Sequence, residues 1–559
     1  MPKKLIPFSI IPLSEFFKKT NSLRWLWLIL LVGFCFRIIN INWDQGFHLH
    51  PDERMITMVT EKLRAPNPLN LNTFLSPQSS LNPHFFAYGS FPLYLLKLVS
   101  LLFPPDSVFR SYDSINLLGR LLSAMFDTAS IFLIFKISTK LFQSIPVGLL
   151  ASTFYALSVF PIQLSHFYAV DTLLNFFILL TIWAALKYHA NPSFGHASIG
   201  GFAFGLALAT KVSALPAGIV LVLAYFLTPK KPITRAIAML AATILTFIFF
   251  QPYTLIDFPT FISQIREQSA MTSDAYVFPY TLQYVGTLAY IYPLKNILIY
   301  GWGYPLSLIS VFGIWFLISK SKRQLSKINR KPILIFLSFY IIYFLLVGRF
   351  SVKFMRYYLP LYPMLASFAA LGIFQLQKLS RHFFPFVFGL LLLVHLTWLF
   401  AFISIYQSPN PRTQASTWIN QNIPVGSTIL REHWDDGLPL FGSEKYNLIE
   451  LPLYEPDTAD KWSRITQNLS EAQYIIVASN RLYTPLQRLG DCSRFPRRCF
   501  PQTAKYYQDL FNGQLGYQLV AVFQNEPQLF GVTLSDFRAD ESFTVYDHPQ
   551  VFIFRKENY

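Results

Sequence analysis

The sequence is short of charge, and of acid above all. Only 13% of its 559 residues are Asp, Glu, Lys or Arg, about half the share in an ordinary soluble protein. That scarcity excludes a disordered tail and a charged coiled coil. The 53% hydrophobic content, with 56 Phe, excludes an ordinary cytosolic enzyme. Cysteine is nearly absent, and three of them cannot make a disulfide-dense scaffold. Internal repeats and low-complexity tracts are missing too. The 46 basic against 29 acidic residues leave a net charge of +17, yet nothing resembles a nucleic-acid-binding module. Basic loops beside anionic lipid account better for the excess.

What is present is a series of apolar runs, several long enough to cross about 30 Å of hydrocarbon. Eleven spans are expected, near 25–41, 115–135, 145–161, 172–186, 198–210, 213–227, 236–250, 297–318, 332–347, 357–374 and 383–406. Within the first outer loop, 42–114, the run 85–103 is interrupted by Gly89, Pro92 and Lys97 and reads as an interfacial helix. The stretch 198–227 is broken only by Lys211. A helical hairpin turning there puts eleven basic residues of the later loops on one side and five on the other. A single helix would invert that bias, against the positive-inside rule.

Residues 1–24, with Lys3, Lys4, Lys18, Lys19 and Arg24, are expected in the cytoplasm. No small-residue cleavage site follows, so the first span is expected to be retained. The odd span count then places 407–559 outside the cytoplasm, after the linker Ser408-Pro409-Asn410-Pro411. That segment reads as a soluble α/β domain, with a helix over 412–422 and strands at 427–430, 474–478, 518–523, 543–546 and 551–555. Cys492 and Cys499 are a disulfide candidate there, while Cys35 reads as packing within a span. The sequences Glu432-His433-Trp434-Asp435-Asp436 and Asp547-His548-Pro549 read as polar turns.

Ionisable groups at a membrane boundary are costly and therefore functional suspects. His50-Pro51-Asp52-Glu53-Arg54 opens a helix, where acids favour the macrodipole or supply a general base in a cleft. Asp171 either caps the following helix or faces the first acids and holds a hydroxylated substrate or a divalent cation. Lys211 either snorkels or meets an anion. Arg349, Lys353 and Arg356 share one face if helical. They form either a solvated face or a phosphate site, where Arg gives bidentate hydrogen bonds. All fall on the outer side.

These features resemble the GT-C superfamily of polyprenyl-phosphate-sugar-dependent glycosyltransferases. Within it the sequence is similar to glycosyltransferase family 39, which includes protein O-mannosyltransferases and aminoarabinose transferases. The matching residues are Asp52-Glu53, Phe91-Pro92-Leu93-Tyr94, Asp171, Gly205 through Thr210-Lys211, and Arg356-Tyr357-Tyr358-Leu359-Pro360 with Pro363. The resemblance implies a GT-C-like helical membrane domain over 25–406. It also implies inverting transfer of a sugar from a polyprenyl-phosphate carrier to a lipid, glycan or protein acceptor of the cell envelope, on the outer face of the cytoplasmic membrane. By resemblance, Asp52 is the base, Glu53 supports it and Asp171 is the second acid. Lys211, Arg356 and Tyr357 contact the carrier phosphate, with Arg349 and Lys353 in the same cationic cluster. His50, Arg266 and Glu267 belong to the outer loops, the larger of which (251–296) covers the site. No cofactor is assigned; a divalent metal stays open, although no third acid stands close to Asp171 in the DxD or DxE form of metal-dependent oligosaccharyltransferases, which argues against a required one. A secondary transporter or lipid flippase would place its charges at the bilayer midplane, and a non-catalytic anchor would not need them.

Overall fold

A computed structural model describes residues 22–65, 70–229, 231–319, 330–379 and 382–557. The N-terminal stretch through residue 21 and Lys230, Lys320, Lys322, Arg323, Lys327 and Arg381 lie outside them.

The apolar runs fold as helices because hydrocarbon offers the backbone no other hydrogen-bond partner. In chain order they are α1 (Ser22–Ile38), α2 (Pro51–Lys62), α3 (Ser90–Ser100), α4 (Tyr112–Phe142), α5 (Ile145–Ala156), α6 (Val159–Ser165), α7 (Asp171–Ala190), α8 (Phe194–Thr210), α9 (Gly218–Phe226), α10 (Ile233–Phe250), α11 (Phe258–Ser273), α12 (Tyr304–Ser319), α13 (Arg330–Val347), α14 (Tyr362–Leu379) and α15 (Phe384–Ile403). Among the described residues six helical stretches are long and apolar enough to cross a membrane. A seventh arises if α5 and α6, bent by 58°, form one span. The protein is a multi-pass membrane protein. The expected span 297–318 is interrupted: a π turn over Ile297–Gly301 precedes α12.

The chain does turn at Lys211. Its extended backbone separates α8 from a 3₁₀ turn, Val212–Ala217, that leads into α9. Thr228, past α9, returns beside the end of α7, its Oγ1 3.4 Å from His189 Nδ1. Within the bundle α8 lies close against α10, since a Cβ on Gly205 would come within 2.7 Å of the Thr243 carbonyl oxygen. Small residues allow such approach. A polar cluster ties four helices together. Arg37 of α1 donates to Asp127 of α4 at 2.7 Å, and Tyr155 of α5 donates to the same carboxylate at 2.6 Å. Asn175 of α7 donates to Tyr155 Oη at 2.8 Å. All four side chains are buried, and the hydrogen bonds they share offset much of the cost of burying them.

Beyond the bundle lies the expected α/β domain. Its strands are β1 (Thr428–Glu432), β2 (Asn447–Leu451), β3 (Tyr474–Val477), β4 (Tyr517–Phe523), β5 (Gln528–Leu529), β6 (Val532–Thr533) and β7 (Val551–Lys556). The main sheet has order β2-β1-β3-β7-β4, parallel on the β2–β1–β3 side and antiparallel on the other. Helix α16 (Pro411–Asn422) matches its expected interval, and Cys492 is bonded to Cys499. Two readings need correction. Residues 543–546 are not a strand: Glu541–Thr544 is a helical turn, and Phe543, Val545 and Tyr546 pack into the apolar core of the membrane domain. Cys35 is exposed on α1 rather than packed.

That docking segment also carries a buried charge network. Tyr406 and Gln163 donate to Asp547 at 2.8 and 3.0 Å. His548 sits between Asp547 (2.6 Å) and Asp536 (2.9 Å). Burial opposes a charge on His548, but the two carboxylates outweigh it and push its pKa from 6.5 up to about 10. The folded state therefore holds this proton more tightly than the unfolded chain. The linked stability is complete below pH 6.5 and lost as pH rises toward about 10. Stability in detergent is expected to fall across that window by at most about 1.4 kcal/mol per pH unit, read as a falling thermal midpoint, and His548→Gln is expected to flatten the slope. An unchanged slope in the variant would assign it to other groups.

Candidate active site

The geometry of the site begins with a guanidinium. Arg120 of α4 is fully buried. It donates to Glu53 at 2.6 Å and to Asp44 at 2.6 Å, and stacks over Trp43 at 5.0 Å. Burial opposes ionisation of Asp44, yet Arg120 holds its carboxyl below the usual range. Glu53 Oε2 also accepts the Tyr168 N–H at 2.8 Å. Its oxygens are consumed by this clamp, so Glu53 does not face the cavity where its neighbour points. His50 is likewise structural: its Nδ1 accepts the Glu53 N–H at the start of α2. Its ring packs on Phe167 and Tyr546. Burial, then the charge of Arg356, keeps the His50 pKa well below its ordinary value.

One residue earlier than the clamp, Asp52 projects into a cavity of about 450 Å³. It forms an ion pair with Arg356 and accepts the Tyr88 hydroxyl at 2.6 Å. Tyr88 is buried, and burial followed by the nearby Asp171 carboxylate keeps its phenol protonated far above the ordinary range. The Lys211 ammonium lies over the Tyr88 ring at 5.5 Å and the Tyr357 ring at 5.2 Å, a cation–π sandwich. It also reaches Asp171 Oδ1 at 3.2 Å. Asp171 Oδ2 is buried with no hydrogen-bond partner among the described residues. Two acids and two cations thus meet through Tyr88 and Tyr357.

Other expected residues stand apart. The 349–356 segment is not one helix: α13 ends at Val347 and a 3₁₀ turn begins at Met355. Arg349 is exposed. Lys353 is buried against Thr287 Oγ1 (3.1 Å) and the Ser351 carbonyl (2.9 Å). Neither lines the cavity, so the three cations share no face. Arg266 and Glu267 are exposed on α11, whose Gln268 and Met271 line the cavity instead. Among the described residues no three His, Cys, Asp or Glu side chains group as a metal site would. Asp52 and Asp171 each hold a cationic side chain rather than converge, so these residues do not fit a divalent cation.

The far wall comes from the C-terminal domain, and three of its residues, Trp434, Asp435 and Asp436, belong to a stretch whose sequence reads as a polar turn. Trp434, Asp435, Asp436, Arg481 and Glu541 line the cavity with Tyr280 of the outer loop. Asp436 pairs with Arg54 at 2.7 Å, Asp435 with Arg412 at 2.9 Å and Glu541 with Arg481 at 2.8 Å. Trp434 stands at φ +78°, half exposed.

Residues 94–256 match the family model for dolichyl-phosphate-mannose-protein mannosyltransferase. The matched stretch holds Arg120, Asp171 and Lys211, and stops short of Asp52, Tyr88 and Arg356. No curated protein matches the sequence. Among solved structures the chain is similar to the archaeal oligosaccharyltransferase AglB from Archaeoglobus fulgidus in complex with an inhibitory peptide and a dolichol-phosphate. That likeness has 13% identity and a TM-score of 0.47, over 82% of this chain and 70% of that one. It is also similar to ArnT from Cupriavidus metallidurans bound to undecaprenyl phosphate, at 14% identity and a TM-score of 0.45, over 83% and 94%. The S. cerevisiae protein O-mannosyltransferase Pmt1-Pmt2 complex bound to the sugar donor gives 14% and 0.29, over 47% and 36%.

The clamp and the cavity make opposite predictions for adjacent acids. Glu53→Ala leaves Arg120 paired with Asp44 alone and takes the acceptor from the buried Arg120 Nε–H and Tyr168 N–H, and is expected to destabilise the protein by about 1–3 kcal/mol per donor left unpaired. Asp52→Asn, at a partly exposed pair, is expected to change stability by about 1 kcal/mol or less. Equal losses in thermal unfolding would contradict the division.

Proposed function

We propose that this chain is an integral-membrane glycosyltransferase that moves a sugar from a polyprenyl-phosphate carrier to an acceptor hydroxyl by inverting displacement. The observation that carries the reading is the cavity that Asp52, Tyr88 and Arg356 line at one end of the bundle, with Lys211 joined to it across the Tyr88 and Tyr357 rings. The mannosyltransferase family match over part of the chain supports it.

In this mechanism Arg356 and Lys211 hold the carrier phosphate. Taking Arg356 frees Asp52, which stays oriented by the Tyr88 hydroxyl. Asp52 accepts the proton of the acceptor hydroxyl as its oxygen bonds to the anomeric carbon from the face opposite the phosphate. The bond from that carbon to the phosphate oxygen breaks, and the electron pair leaves with the lipid phosphate. Preorganised cations stabilise that developing charge without reorganisation, so no proton donor is needed. Asp171 orients Lys211. Glu53 positions α2 and performs no chemistry, and the acceptor enters along the wall formed by Trp434 and Arg481.

The cavity end of the bundle is taken as extracytoplasmic, because Lys140, Lys187, Lys231, Arg235, Lys331 and Lys378 belong to the opposite ends of the helices. Phe530 is 97% exposed in the C-terminal domain. Phe530→Cys is expected to react with an impermeant maleimide added outside intact cells, and reaction only after lysis would reverse the orientation. Asp52→Asn is expected to slow transfer by about 10²–10⁴-fold while leaving donor binding within a small factor. Arg356→Ala is expected to weaken donor binding itself. Near-normal turnover in the first, or unchanged donor affinity in the second, would remove the respective role.

A further inference from the structure

The hairpin β5–β6 stands apart from the main sheet and leads toward the bilayer. Asn525 donates to the Pro409 carbonyl at 2.8 Å, and further along the chain the Gln528 N–H donates to Ser404 Oγ at 3.1 Å. The chain thus runs antiparallel to 404–409, from the domain linker to the end of α15, and β5 packs against that helix. Helix α15 has 20 residues, about 30 Å at 1.5 Å per residue, so its end at Ile403 marks one rim of the hydrocarbon. The hairpin turns just past that level, at Phe530-Gly531, and the Leu534 N–H comes back to the Pro527 carbonyl at 2.8 Å.

The turn carries a residue that its backbone disfavours. Gln528 pairs with Thr533 and Leu529 with Val532, leaving a two-residue loop with φ +50° at Phe530 and +81° at Gly531. Positive φ at both positions suits Asn-Gly and is costly for a bulky aromatic. Backbone strain of that kind gathers where a residue has a use. Phe530 is 97% exposed there, with Val532 61% exposed beside it. The stretch from Pro527 to Leu534 has no charged residue that would oppose entry into a bilayer. A two-stranded hairpin in water alone is marginal. Aromatic side chains of the bundle stand at the same level. Phe400 on the last turn of α15 and Tyr304 at the start of α12 are exposed, and Trp398 donates to the Tyr300 carbonyl at 3.0 Å. Such rings collect at a membrane interface, and the hairpin tip continues their band.

We propose that the β5–β6 tip is a membrane anchor, with Phe530 and Val532 set among the lipid head groups and upper acyl chains beside α15. The partner is the lipid surface, met through apolar and aromatic contact, and the contact holds the C-terminal domain against the bilayer. The inference is independent of the proposed chemistry and of the side the cavity faces, because it uses neither. At head-group depth position 530 stays open to an aqueous maleimide from its own side, in keeping with the labelling expected above.

The test uses the full chain carrying Cys35→Ser, one copy per phosphatidylcholine nanodisc, with a polarity-sensitive fluorophore on Phe530→Cys. Lipid bearing a nitroxide high on its acyl chain is expected to quench the label, and the emission is expected to be blue-shifted. Val532→Cys should behave alike, which guards against a local disturbance at one position. The same label on Val425→Cys should show neither effect. That exposed residue precedes β1, which runs toward the wall at Trp434, so Val425 lies at the far end of the sheet. No quenching at Phe530→Cys and Val532→Cys would overturn the proposal. A blue shift without quenching would also overturn it, since the tip would then lie against protein. Equal quenching at Val425→Cys would do the same, because it would report random encounters with lipid.

Discussion

A guanidinium without water, Arg120, sets the position of nearly everything else at the candidate active site. Its charge is tolerable inside the protein only because Asp44 and Glu53 both reach it. That requirement pulls the loop after α1 and the start of α2 onto α4. Glu53 then takes the Tyr168 N–H, three residues before Asp171. One buried clamp therefore positions both acids of the site: Asp52, which lines the cavity, as the neighbour of Glu53, and Asp171, paired with Lys211, as the start of the helix that Tyr168 precedes.

The cavity inherits a balance of charge from this arrangement. Asp52 with Arg356 and Asp171 with Lys211 are two ion pairs joined through the rings of Tyr88 and Tyr357. Without a ligand each cation satisfies an acid. In the proposed mechanism a phosphate that takes Arg356 leaves Asp52 with Tyr88 alone, so the base becomes available only when the leaving group is held. The C-terminal domain completes the cavity through ion-paired walls, and it stays seated because Phe543, Val545 and Tyr546 are buried in the membrane domain's own core.

Hydropathy made the membrane domain legible, because each span had to be apolar along its length. Charge bias located the turn at Lys211, and the cost of charge at a membrane rim singled out Asp52, Asp171, Lys211 and Arg356. Other parts were hidden for physical reasons. Tyr88, in Ala87-Tyr88-Gly89, reads like any interfacial tyrosine until its hydroxyl is seen on Asp52. Arg120 sits within an expected span, and that misplaced charge was the available signal for the clamp. The spacing of Arg349, Lys353 and Arg356 suggested one helical face, but α13 stops at Val347 and Lys353 turns to Thr287. Alternating apolar residues at 543–546 imitated a strand, while their real partners were side chains of the membrane domain more than a hundred residues away. Trp434, Asp435 and Asp436 looked like a turn and became a wall only when the two domains met.

The measurement that bears most directly on this account is a structure of the protein with a polyprenyl phosphate bound. The account predicts phosphate density against Arg356 and Lys211, with the Asp52 carboxylate released from Arg356 and still hydrogen-bonded to Tyr88. Phosphate density away from both cations, with the Asp52–Arg356 pair intact, would contradict it.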